Sequence, residues 1–191
     1  MTSSDETRLP ADAKERAAAR VGKSLDGSTG DGRRLRIGFA CAEFNGGITD
    51  RLLAGALDTL EEAGHDAAGS VVVWVPGAFE LPLVAQELAR SEAVDAVVCL
   101  GAVIRGETGH YELVAGECAA GLQRVQLDTG VPIAFGVLTT ENVEQARARS
   151  ASGAANKGAE AVETVIQTVA VLAGVAGLPS GPTVGFAAGR S

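Results

Sequence analysis

The chain is expected to fold as an α/β protein, a three-layer αβα sandwich with a four-stranded parallel sheet flanked by helices. Three observations carry that expectation. From Leu35 onward, short β-rich runs alternate with longer segments of helical periodicity, the order that builds parallel sheets through right-handed crossovers. The β-rich runs show no alternation of polarity, as expected when both faces of a sheet are covered. Apolar residues make up 46% of the chain but aromatics only 4%, so its core must be Ala, Val, Leu and Gly, suited to helices packed closely on a sheet.

Taken in order, residues 1–34 are rich in Ala, Gly, Ser, Asp and charge, and this tail carries too little β-branched or aromatic surface to order itself; Asp12 to Lys23 is its one helical stretch. The predicted strands are Leu35 to Cys41, Ser70 to Val75, Ala96 to Leu100 and Ile133 to Leu138. The first helix is expected to start at Thr49 as N-cap and to carry Leu52, Leu53, Ala56, Leu57 and Leu60 on one stripe before Gly64 ends it. Further helices are expected over Glu80 to Ser91, His110 to Asp128, Asn142 to Ser150 and Ala154 to Ala173. Residues 35–173 then form one domain, and 174–191 a Gly/Pro-broken extension.

The net charge of −8 excludes nucleic acid or an anionic membrane as the main partner. Seven basic and six acidic residues fall within the first 34 positions, so the body carries −9. Cys41, Cys99 and Cys118 each lie in apolar surroundings without metal-site or disulfide spacing, which points to a reduced, cytoplasmic protein. No segment reads as a signal peptide, and the apolar stretch Thr168 to Leu178 is too short to span a bilayer.

In parallel sheets of this kind ligands bind beyond the carboxyl ends of the strands, and the unusual polar motifs fall there. The most informative is Cys99 to Glu112, a strand running into a glycine-punctuated loop that ends at a histidine opening a helix. Amides freed by Gly106 and Gly109 and by the first helical turn suit a phosphate, Arg105 adds a cation, and Thr108 a hydroxyl. His110, at the positive end of the dipole, is expected to stay neutral and basic near physiological pH. Glu107 is awkward beside a phosphate unless it points outward.

Phe44 sits in a loop, where it either folds back on the core or stacks on a planar heterocycle. Ala78, Phe79 and Glu80 follow Pro76-Gly77 and read equally as a tight turn with a helix start or as amides and a carboxylate offered to a hydroxylated chain. Arg147, Arg149 and Lys157 cluster where the body has few basic residues, and Lys157 reads as an electrostatic group. His65 reads as a solvated surface residue and Trp74 as core.

The motifs Phe44-Asn45 with Ile48-Thr49, Val75 to Pro82, Gly101 to His110, Gly136 to Asn142 and Asn156-Lys157-Gly158, in that order, resemble those of the 6,7-dimethyl-8-ribityllumazine synthase family. The resemblance implies a flavodoxin-like fold and a transferase of riboflavin biosynthesis. Such an enzyme condenses 5-amino-6-(D-ribitylamino)uracil with 3,4-dihydroxy-2-butanone 4-phosphate in the penultimate step, with no metal or organic cofactor. It implies that Phe44 stacks on the pyrimidine, that Ala78, Phe79 and Glu80 hold the ribityl chain, and that Ala102, Val103 and Ile104 line the ring's edge. Glu107 and Thr108 would contact the butanone phosphate, His110 would transfer protons, and Lys157 would lie near the phosphate. Arg149 as phosphate partner and Phe135 as ring cover would come from a neighbouring subunit, in a homo-oligomer built of pentamers, sometimes twelve closed into a sixty-subunit icosahedral shell. The alternatives are a non-catalytic flavin- or lumazine-binding protein and a shell-forming protein on the same scaffold.

Overall fold

The computed structural model describes residues 9–10, 12–21, 23–27, 32–65, 67–153 and 155–178. Four strands, β1 (Ile37–Ala42), β2 (Val71–Val75), β3 (Ala96–Ile104) and β4 (Ile133–Thr140), form an all-parallel sheet in the order β2-β1-β3-β4. The helices are α1 (Ala13–Ala18), α2 (Gly46–Glu62), α3 (Leu81–Arg90), α4 (His110–Thr129), α5 (Val143–Arg149) and α6 (Lys157–Ala176).

Successive side chains of a strand point to opposite faces, and each face here has its own core. Ile37, Phe39 and Cys41 of β1 and Val98 and Leu100 of β3 join Leu52, Ala56 and Leu60 of α2 and Val162 and Val165 of α6. Ala40 and Ala42 of β1 and Val97, Cys99 and Val103 of β3 instead meet Leu81 and Ala85 of α3 and Cys118 and Leu122 of α4. The helices thus make two layers and the sheet the third, the expected αβα sandwich. The chain moves outward from β1 to β2 and, from β3, the other way to β4. The strand order therefore reverses between β1 and β3, which is where such sheets open a crevice.

Several elements depart from expectation. β3 continues four residues past Leu100, because its pairing with β4 runs on to Ile104 opposite Thr140. The first helix begins at Gly46, not after Thr49: Asn45 takes the left-handed conformation, φ 62°, and its Nδ2 donates to the Ala102 carbonyl at 2.9 Å, turning the chain straight after Phe44. Thr49 is consequently a fully buried residue of α2, and its Oγ1 has no partner among the described residues. β2 is an edge strand with Val71, Val72 and Trp74 exposed, so Trp74 is not core. His65 is half-buried, and its Nδ1 accepts the Leu35 N–H at 3.2 Å. The last helix starts at Lys157, with Asn156 as its cap; Ala154, where it was expected to begin, lies outside the described residues. The helix expected from Asp12 to Lys23 is shorter, Ala13–Ala18, and buries none of its residues. Farther along the tail, Leu25 and Gly27 lie against Gly174 and Gln167 of α6. Residues 1–8, and the C-terminal extension from residue 179, lie outside the described residues.

α6 is the one described helix long and apolar enough to cross a membrane by composition. It buries Ala161, Val162 and Val165 against α2 and the sheet and leaves Leu172 and Val175 exposed. The three thiols are fully buried and unbonded. Burial pushes Cys41 up to about 12, Cys118 up to about 11 and Cys99 well above its ordinary value.

Asp95, just before β3, accepts from the Arg36 amide at 2.8 Å and from its guanidinium at 3.3 Å, and Arg33 lies 3.3 Å away. Burial pushes this carboxyl up, but the Arg36 hydrogen bonds and the two guanidinium charges outweigh burial and hold it below its usual value. A carboxyl depressed in the folded state adds stability above its unfolded pKa, about 3.9, and loses it as pH falls through the folded value. Asp95→Asn is therefore expected to lower the urea midpoint at pH 7, with the gap to wild type shrinking as pH falls from about 5 to about 2. A gap constant over that range would remove Asp95 from the acid transition.

Candidate active site

The loops after β1, β2 and β3 are tied together before any ligand arrives. The Glu43 amide donates to the Val75 carbonyl at 2.8 Å and the Phe44 amide to the Pro76 carbonyl at 3.0 Å, which lays the loop after β1 against the loop after β2. The Asn45 bond to Ala102 ties the same loop to β3. Between them opens a cleft of about 750 Å³ at the reversal of strand order.

One wall is Phe44, 72% exposed, and another is Phe79, 59% exposed, in a short 3₁₀ turn, Ala78–Glu80. Aromatic rings held open on a crevice, instead of folded into the core, offer faces for stacking a planar ring. This resolves the choice left open for Phe44: it does not fold back. Ala102, Val103 and Ile104 make the floor, and Glu80 brings a carboxylate to the rim. The far side is Thr108 and the start of α4, where His110 is the first helical residue and exposed. The His110 amide donates to Thr108 Oγ1 at 3.5 Å, a long bond that closes the turn.

Nine expected site residues therefore share one cleft: Phe44, Ala78, Phe79, Glu80, Ala102, Val103, Ile104, Thr108 and His110. Phe135, Arg149 and Lys157 do not join them. They line a second depression of about 340 Å³ along β4, where Phe135 is 44% exposed, and the two share no lining residue. Arg149 donates to the Gln145 carbonyl at 3.2 Å and pairs with no carboxylate among the described residues, while Lys157 is paired with Glu160. Arg105 and Glu107 line neither. Glu107 is exposed. Arg105 is engaged by Glu112 and by Glu141, the latter at 2.7 Å.

Sequence reasoning did not place Asn45, Tyr111, Leu113 and Val114 in the cleft. For the last two the signal was helical spacing: three and four residues beyond His110, they share its face of α4. For Asn45 it was the residue type, since asparagine enters the left-handed conformation at little cost. Among the described residues no three His, Cys, Asp or Glu side chains gather closely enough to hold a metal ion.

The sequence model of the 6,7-dimethyl-8-ribityllumazine synthase family matches residues 34–173. Curated relatives carry the same name. The protein of Edwardsiella ictaluri is 53% identical over 140 residues, which is 73% of this chain and 90% of that one. Those of Yersinia pestis and Yersinia pseudotuberculosis are each 50% identical over 143 residues, 74% of this chain and 92% of theirs.

Proposed function

Since the chain belongs to the 6,7-dimethyl-8-ribityllumazine synthase family, we propose that its cleft is where 5-amino-6-(D-ribitylamino)uracil and 3,4-dihydroxy-2-butanone 4-phosphate condense to 6,7-dimethyl-8-ribityllumazine, phosphate and water, the penultimate step of riboflavin synthesis. The observation that carries this placement is the convergence, at one reversal of strand order, of an open Phe44 ring, the 78–80 turn and a histidine at a helix start.

The pyrimidine stacks on Phe44, with Ala102, Val103 and Ile104 along its edge. The ribityl hydroxyls take the amides of Ala78 and Phe79 and the Glu80 carboxylate. The butanone phosphate lies toward Thr108 and Glu107, at amides of the loop and of the first turn of α4. Amine nucleophile and leaving phosphate both belong to the substrates, so the protein's main contribution is to hold two reactants in register. His110 moves protons as the imine forms, phosphate leaves and the ring closes.

The cations and the ring cover come from a second subunit. Phe135, Arg149 and Lys157 face outward along β4, apart from the cleft of their own chain, and a homo-oligomer brings them onto a neighbour's. A pentamer is the unit, with twelve pentamers in a sixty-subunit shell as the larger form; the exposed Leu172 and Val175 on α6 are surface for such contacts. Arginine suits the phosphate because its planar fork matches two oxygens. Residues 35–173 form the catalytic domain, its last helix running on to Ala176, and the segments before and after it are appendages. The location is cytoplasmic, supported by three unbonded thiols and by an apolar α6 docked on its own sheet.

The test is to mix the purified protein with both substrates and follow lumazine fluorescence. Turnover above the spontaneous reaction is expected, and His110→Ala should slow it by about 10²-fold while leaving a residue of activity from orientation alone. An oligomer that binds the pyrimidine yet gives no turnover would overturn the reading.

A further inference from the structure

Arg105 carries a permanent charge next to the phosphate-side loop, and sequence alone assigns it to the substrate. Its surroundings assign it elsewhere. Its guanidinium is divided between two carboxylates, Nε donating to Glu141 at 2.7 Å and Nη1 to Glu112, and the guanidinium carbon lies 4.1 Å from the centroid of the Tyr111 ring. Its amide donates to the Thr140 carbonyl at 2.9 Å. Tyr111 and Glu112 are the second and third residues of α4, directly after His110, and Thr140 and Glu141 stand at the end of β4.

We propose that Arg105 is a positioning residue that clamps the first turn of α4 to the end of β4, holding the His110 imidazole in register with the substrates, and that it does not bind the phosphate. The inference rests on the assignment of His110 to the cleft. One cation against two carboxylates leaves the cluster net negative, so a phosphate arriving there would meet repulsion unless both pairs broke first. The Arg105 hydrogen bond is the main cause that holds the Glu112 carboxyl below its ordinary value. Exposed ion pairs contribute little stability; what this one contributes is geometry. Only a planar fork reaches two acids while lying on a ring, and lysine, a single point charge, cannot do all three. The clamp also reaches farther: the Glu141 amide donates to Gln145 Oε1 at 3.0 Å, so the helix that bears Arg149 is joined to the same cluster.

The experiment compares wild type, Arg105→Lys, Arg105→Gln, Glu141→Gln and the double variant R105Q/E141Q in steady-state assays with the butanone phosphate varied, together with amide hydrogen exchange over residues 106–114. A misplaced acid–base group costs turnover, so both Arg105 variants should lose about tenfold in kcat with KM for the butanone phosphate within about twofold of wild type. Glu141→Gln should show part of that loss, the double variant no more than R105Q alone, and the His110 turn should exchange faster in R105Q. A KM raised in R105Q and restored in R105K, with kcat kept, would make Arg105 a phosphate ligand and overturn the proposal, as would unchanged kinetics or unchanged exchange. A wild type without turnover would instead overturn the assigned reaction, and the exchange of the His110 turn would then decide the clamp by itself.

Discussion

Gly158→Ala is expected to destabilise the protein by about 3 kcal/mol, toward the upper end of overpacking substitutions, and to lower its thermal midpoint by about 10 °C. A Cβ at Gly158 would lie 2.0 Å from the Leu52 carbonyl oxygen and 2.7 Å from its carbon. Both are backbone atoms inside α2, which no rotamer change moves aside. The neighbouring contact is as tight from the other direction: a Cβ on Gly55 of α2 would meet the Asn156 carboxamide at 2.4 Å. That carboxamide is saturated. Its oxygen accepts from the amides of Gly158 at 2.8 Å and Ala159 at 3.2 Å, and its nitrogen donates to the carbonyls of Arg51 at 2.9 Å and Ser150 at 3.4 Å. Pushing α6 off α2 to admit one methyl would therefore also leave buried polar groups unpaired. Gly116→Ala is the control. It lies on α4 with nothing within 4 Å of a new Cβ, so helix propensity should raise its midpoint. Equal midpoints for Gly158→Ala and wild type, by scanning calorimetry, would mean that the two helices part at no cost.

Mixed assemblies of two crippled variants are expected to recover more activity than either shows alone. If His110 of one subunit works with Arg149 of the next around a closed ring, a random equal mixture of His110→Ala and Arg149→Ala subunits gives about a quarter of sites two intact halves. Arg149→Ala alone should raise KM for the butanone phosphate far more than KM for the pyrimidine, because only the phosphate meets the fork. The measurement is lumazine formation after co-refolding the two proteins, against each refolded separately. Recovery near a quarter of wild-type turnover is expected. Activity no greater than the mean of the separate proteins would place both halves on one chain, contrary to the separation of the two depressions.

The strands, helices and most of the cleft were legible in the sequence because they follow from local periodicity and from residue types at strand ends. Phe44 announced itself as an aromatic where no core element stood. What failed had a common cause in long-range partners. Gly101 and Ala102 looked like loop because glycine breaks strands, yet pairing with β4 carries β3 on to Ile104. Trp74 looked like core because valines flank it, and only the strand order makes β2 an edge. Thr49 looked like a cap by its chemistry, but the helix start is set by a bond from Asn45 to the Ala102 carbonyl, 57 positions farther along the chain. The engagement of Arg105 depends on acids seven and thirty-six residues distant, and no spacing rule joins those three. That the cations Arg149 of α5 and Lys157 of α6 lie apart from the cleft is likewise a property of the assembled sheet.

The buried thiols have a practical consequence for anyone wishing to watch these molecules assemble. Only a thiolate attacks a maleimide, and with burial pushing Cys41 up to about 12, Cys118 up to about 11 and Cys99 well above its ordinary value, all three stay protonated and shielded at neutral pH. A single cysteine introduced on the exposed surface would then be the sole handle for a dye, with the native three left in place.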